Sequence, residues 1–156
     1  WAKLAYAALL FATALTDAPI ADVLDERECR PVLLALAREV VAVAEARGVS
    51  LEGFDGFDPE AFRRTAPEEW AEASLDDLVG FNRRSAKTHS GIWRDLAVRK
   101  RRTEVDAQLG PVVELGREAG VPTPLTERLI LQIHQIEQGR RERSWSNLEE
   151  LAARDG

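Results

Sequence analysis

Three side chains in this 156-residue chain have types and settings suited to passing a proton to a small oxyanion. Lys3 stands at the head of an apolar run, Leu4 to Ala12, where burial lowers an ammonium's pKa and lets it act as an acid near neutral pH. Glu104 opens a second apolar stretch, just behind four consecutive cations, Arg99 to Arg102. Ser90 ends a short polar approach, Lys87-Thr88-His89, and its hydroxyl can donate one hydrogen bond while accepting others. Each also has a plainer reading. A lysine at a helix end carries its ammonium to water on an alkyl stem. Thr103-Glu104 suits a helix start, where a carboxylate complements the macrodipole. Ser90 before Gly91-Ile92-Trp93 suits an N-cap.

These residues need helices to hold them. Almost every apolar run follows helical spacing, with no sustained alternation, so the class expected is all-α. Helices are expected over Ala2–Leu15, near Ile20–Leu24, and over Pro31–Arg47 with Gly48 as its stop. Ser50 to Pro59 reads as a loop, with Asp58-Pro59 as N-cap and first helical position. Ser74 with Asp77 resembles an acidic capping box opening a turn toward Phe81. Further helices are expected over Gly91–Val98, Thr103–Ala119 with a kink at Pro111, Pro124–Gln138 with Thr123 as N-cap, and Trp145–Ala153.

Composition narrows the function classes. One domain fits the length. With 21 Lys and Arg against 27 Asp and Glu, the net charge of −6 repels phosphate backbones and argues against a nucleic-acid partner. The run Arg99 to Arg102 is short and lacks an aromatic ladder, so it reads as a solvated helix end, or as one arginine facing a phosphate or carboxylate. Arg140, Arg141 and Arg143 take the solvated reading. Cys29, His89 and His134 have no ligand-spaced partners, so no metal site is expected, and a single cysteine fits a reducing cytoplasm. The run after Lys3 imitates a secretory signal but continues into Leu15. It is too short for a bilayer, which takes ~20 residues, so a buried helix is expected rather than a membrane segment. The chain lacks Met and opens on Trp1, and reads as a piece of something longer. None of its ten glycines are spaced G-x-G, so the dinucleotide fingerprint is missing.

Two motifs carry a resemblance. Trp1-Ala2-Lys3-Leu4 matches a W-x-K-L context, and Arg101-Arg102-Thr103-Glu104-Val105-Asp106 matches R-R-T-E-I-D at all but Val105. With these, most of the chain resembles the C-terminal, substrate-side domain of ketopantoate reductases (2-dehydropantoate 2-reductases). These NADPH-dependent enzymes reduce ketopantoate to pantoate in pantothenate biosynthesis. The resemblance implies one helical domain over residues 1–156, of the kind shared with 6-phosphogluconate dehydrogenase C-terminal folds. It implies a separate N-terminal Rossmann domain holding NADPH, a 2-keto acid bound between the two, and helix-mediated homodimer contacts. It also implies roles: Lys3 as the general acid that protonates the ketone oxygen, Glu104 contacting substrate and orienting the lysine, and Ser90 bonding the substrate carboxylate.

The chain departs from the pattern in three places. The family serine lies in S-x-M-x-x-D, whereas here Ser90-Gly91-Ile92-Trp93-Arg94-Asp95 has Ile92 in place of the Met. The stretch from Asp95 to Glu104 is one residue longer than usual. Ala7 and Phe11 stand where K-x-x-x-N-x-x-x-N places substrate-holding asparagines. That loss points to a less polar 2-keto acid, or to a non-catalytic module for dimerisation or partner binding that kept the fold.

Overall fold

The computed structural model describes residues 1–153 as an all-α domain. Its helices are α1 (Ala2–Thr13), α2 (Ile20–Asp25), α3 (Arg30–Ala46), α4 (Glu68–Arg84), α5 (Gly91–Arg94), α6 (Val105–Ala119), α7 (Pro124–Glu137) and α8 (Ser146–Ala152). A 3-10 turn (Pro59–Phe62) precedes α4, and a π turn (Asp95–Arg99) continues α5. No strand occurs among the described residues.

α3 forms the centre. Val32, Leu33, Leu36, Ala37, Val40, Val43 and Ala44 bury against α1 on one side and α6 and α7 on others. Apolar residues recur at three- and four-residue steps, and burying that stripe is what holds the helix. Gly48 ends it in the left-handed region (φ +66°), where a residue with a Cβ is strained. The Gly48 N–H donates to the Glu45 carbonyl and Val49 N–H to that of Ala44, closing a Schellman turn. α6 approaches α3 at Gly116, where an added Cβ would meet Val43 Cγ2 at 3.2 Å, with Thr123 Cγ2 and the Val121 carbonyl at 2.9 Å.

α7 is capped differently from the expectation. Thr123 holds the N-cap position without a side-chain cap bond. Glu39, reaching across from α3, instead accepts hydrogen bonds from Leu125 N (2.9 Å), Thr126 N (2.8 Å) and Thr126 Oγ1 (2.8 Å). Asp58 caps the 3-10 turn as expected, accepting from Glu60 N at 3.0 Å. α6 runs on through Pro111, whose missing donor falls on the exposed side.

Two expected elements are corrected. Ser74 and Asp77 do not open a helix. α4 begins six residues earlier, at Glu68, with Glu68 and Glu69 in its first turn, and Ser74 is a buried interior residue whose hydroxyl accepts from Asp58 N at 3.4 Å. The stretch expected as one helix from Gly91 to Val98 is a single α turn passing into the π turn. No helix among the described residues is long and apolar enough to cross a membrane.

Candidate active site

An open cleft of about 690 Å³ lies between the outer face of α1 and the segment from Ser90 to Gln108. The α1 wall is apolar, formed by Ala7, Leu10 and Phe11, with Ile92 beside it. The opposite wall is charged: Asp95, Arg99, Arg101, Arg102 and Glu104. The structure therefore places Ser90 and Glu104 along one cleft, which Lys3 does not line. Ala7 forms its wall one helical turn beyond Lys3, on the same face.

Ser90 is the N-cap of α5 and is buried. Its Oγ accepts the Trp93 N–H at 3.1 Å. The plain N-cap reading therefore holds, yet a capping hydroxyl spends only an acceptor and keeps its proton to donate into the cleft. The segment carrying it is pinned from outside. Trp93 Nε1 (3.1 Å) and Arg143 Nε (2.8 Å) both donate to Asp17 Oδ1, and His89 stacks on Trp93 with ring centroids 4.2 Å apart. Burial works to raise the Asp17 pKa, but the hydrogen bonds from Arg143 and Trp93 outweigh it and hold the carboxyl below its usual range.

The segment from Asp95 to Glu104 opens with the π turn, whose hydrogen-bonded loops each hold one more residue than those of an α turn. The turn ends at Lys100, which adopts a left-handed conformation (φ +50°) and sends the chain back so that Arg101 N donates to the Asp95 carbonyl at 3.0 Å. The Asp95 carboxylate accepts from Arg99 Nη1 (2.9 Å) and Arg101 Nε (2.8 Å). Burial raises its pKa, and these two arginines more than reverse that, leaving it below the ordinary value.

The run from Arg99 to Arg102 is exposed, as the solvated reading expects, and within it Arg99 and Arg101 pair with Asp95. Arg102 lines the cleft with no ion-pair partner among the described residues. Arg141 and Arg143 are also engaged rather than solvated: Arg141 donates to Gln135, Asn147 and Glu150, and Arg143 to Asp17.

Glu104 sits at the N-cap of α6 without capping it. Its carboxylate is exposed and accepts only from Gln108 Nε2, at 3.1 Å, among the described residues. Lys3 is exposed as well, so the desolvation expected for it is not supplied by this chain. Ala7 is half-buried at the cleft, whereas Phe11 has no solvent exposure and supports the wall from behind. His134 pairs with Asp106 (2.9 Å), and no metal-sized group of His, Cys, Asp or Glu forms among the described residues. Sequence reasoning missed Glu39, Asp17 and Glu137. Their partners lie far along the chain, so no local spacing marks them.

The described residues thus form an all-helical domain whose cleft, between its first helix and an R-R-T-E turn, is apolar on one wall and charged on the other. The chain belongs to the ketopantoate reductase C-terminal family, whose model, described as Ketopantoate reductase PanE/ApbA C terminal, matches residues 1–137. It is 30% identical over 119 residues to a 2-dehydropantoate 2-reductase of Vibrio cholerae serotype O1 (strain ATCC 39315 / El Tor Inaba N16961), a match covering 76% of this chain and 32% of that protein. The chain thus spans about a third of that relative's length. No solved structure matches it.

Proposed function

We propose that this chain is the substrate-side domain of an NADPH-dependent 2-keto acid reductase. The observation that carries the reading is one cleft lined by Ser90, by Glu104, whose carboxylate accepts only from Gln108 among the described residues, and by Arg102, which has no ion-pair partner among them. A 2-keto acid presents a carboxylate next to a polarised carbonyl. Arg102 and the Ser90 hydroxyl would hold the carboxylate. Lys3 would donate a proton to the ketone oxygen, and Glu104 would orient the ammonium and accept a hydrogen bond from the product hydroxyl. The protein's work is to fix geometry and stabilise the developing alkoxide.

No two of the ten glycines are spaced G-x-G. Gly48, Gly120 and Gly139 take positive φ at helix ends, and Gly56 in a turn, so none opens a helix toward a phosphate. NADPH, the source of hydride for the carbonyl carbon, is accordingly assigned to a preceding Rossmann domain. Closure of that domain over the cleft would supply the desolvation Lys3 lacks here. The site belongs to a reducing cytoplasm, and a homodimer built through the long helices is part of the same reading.

With Ala7 in place of an amide, the preferred substrate is a less polar 2-keto acid than ketopantoate. The test is steady-state NADPH oxidation by the full-length protein with ketopantoate and a panel of branched and aromatic 2-keto acids. Turnover of the branched or aromatic acids, ahead of ketopantoate, is expected. A kcat/KM for ketopantoate above ~10⁴ M⁻¹s⁻¹ and higher than all others would overturn the substrate assignment. Inactivity on every acid would favour the second reading, a non-catalytic helical module, to which the loss of a polar group at Ala7 also points.

A further inference from the structure

Glu104 owes its place to a non-helical strap, Lys100–Thr103, that bridges the π turn and α6. One end of the strap is tied to Asp95. The other is tied to Glu137, the last residue of α7, which the motifs do not include. Glu137 Oε1 accepts from Thr103 N at 2.8 Å and from Thr103 Oγ1 at 2.7 Å. Thr103 Oγ1 in turn accepts from Val105 N, the first amide of α6, at 3.3 Å. Glu104 lies between the two residues so fixed, so the carboxylate of Glu137 sets where the Glu104 backbone leaves the strap. Three residues earlier on the same face of α7, His134 reaches Asp106 in the first turn of α6. α7 thus holds the start of α6 at two points, and only the Glu137 point acts on Thr103, the residue next to Glu104.

We infer that Glu137 is a positioning residue for Glu104: its two hydrogen bonds to Thr103 hold the strap so that the Glu104 carboxylate faces the cleft. The inference rests on the proposed role of Glu104. Both bonds use a single acceptor oxygen, so an amide can replace the carboxylate and a methyl cannot. Misplacing a reacting group by about 1 Å costs on the order of 10²-fold in rate, and a released strap has room for that.

The experiment compares Glu137→Ala, Glu137→Gln and Glu104→Ala in the full-length protein. It uses steady-state kinetics with NADPH and 4-methyl-2-oxopentanoate, and amide hydrogen exchange across residues 100–105. The expected result for Glu137→Ala is a fall in kcat of between about tenfold and 10²-fold with KM within about threefold. Exchange should accelerate in the strap and not in α3. Glu137→Gln should restore both. A purely structural role would lower the melting temperature but leave kcat per folded molecule unchanged. That result, alongside a severe loss in Glu104→Ala, overturns the positioning role and leaves the catalytic reading of Glu104 intact. If Glu104→Ala itself leaves kcat unchanged, or no turnover is seen at all, the functional reading fails. The clamp is then judged by exchange alone: acceleration confined to residues 100–105 and reversed in Glu137→Gln supports it, and unchanged exchange overturns it.

Discussion

Two glutamates stand at two helix N-termini, and the protein treats them in opposite ways. Glu39 is mostly buried between α3 and α7, and its two oxygens take three hydrogen bonds from the first turn of α7. Burial pushes its pKa up, and the hydrogen bonds from Leu125 and Thr126 only partly offset that. Glu104 occupies the N-cap of α6, satisfies no backbone amide there, and is left exposed beside Arg102 with one side-chain bond. The first amide of α6 is served instead by Thr103, at 3.3 Å. The Glu39 carboxylate is saturated by its cap, whereas Glu104 stands at the start of α6, as the helix-start reading expects, and keeps free acceptor capacity.

The largest expected effect is on turnover. In the full-length protein, Lys3→Ala should lower kcat on the order of 10²-fold or more with a smaller change in KM, because proton donation is realised in the transition state. Glu104→Ala should act on both kcat and KM, since the proposed role has it touch bound substrate too. Steady-state NADPH oxidation measures both. A Lys3→Ala enzyme within about threefold of the parent in kcat would remove the general acid from the scheme. The same Glu104→Ala variant should unfold within about 0.5 kcal/mol of the parent, as exposed substitutions away from structural features do.

Glu39→Ala inverts that pattern. It strands the Leu125 and Thr126 amides and a hydroxyl in a partly buried junction, where leaving a buried donor unsatisfied costs about 1–3 kcal/mol and water can reach part of the site. A stability loss of about 2–4 kcal/mol is expected, with kcat per folded molecule unchanged. Chemical denaturation alongside activity separates the two. Equal stability losses in the Glu39 and Glu104 variants would erase the distinction between them.

A smaller effect concerns the apolar wall. Ala7→Asn restores an amide at the one position of the pair that reaches the cleft, and should raise kcat/KM for ketopantoate by about tenfold relative to 4-methyl-2-oxopentanoate. Phe11→Asn would bury an unpaired amide in the core and is expected to destabilise without that gain. An unchanged substrate ratio in Ala7→Asn would place the specificity elsewhere in the cleft.

How much of this was legible differs by region for physical reasons. Helix spans came through because burial follows the 3.6-residue period within a segment, and α1, α3, α6 and α7 all lie within a few residues of expectation. Ser74-Asp77 misled because the capping signature is local, while α4 is nucleated earlier by Glu68 and Glu69 and continues through a buried serine. The helix-start positions of Ser90 and Glu104 were legible, since each sits at a turn its own neighbours define. The apolar flank of Lys3 allowed either partial burial or an ammonium carried to water, and the side chain lies exposed. The supports Asp17, Glu39 and Glu137 were invisible, because their bonds join residues 34 to 126 positions apart.

The smallest predicted effect sharpens the contrast through pH, because Glu39 and the Asp95 carboxylate at one end of the strap shift in opposite directions. The Asp95 carboxyl is held below its ordinary value of 3.8, so the folded protein binds that proton more weakly than the unfolded chain. Its stabilisation is complete above that value and is lost as pH falls below 3.8 through the depressed folded pKa. Glu39 is held above its ordinary value of 4.5, so the folded state binds that proton more tightly, and its contribution is largest below 4.5 and declines as pH rises through the folded pKa. Thermal melts across this range should show the Asp95→Asn variant losing part of the acid-side fall, and Glu39→Gln losing part of the decline on the other side. Asp95→Asn should act on strap exchange as well, because Arg101 is then held by a neutral acceptor. Acid-side melts that run parallel in the parent and Asp95→Asn would mean the carboxylate's charge adds nothing to the clamp, leaving the backbone bond from Arg101 to hold that end of the strap alone.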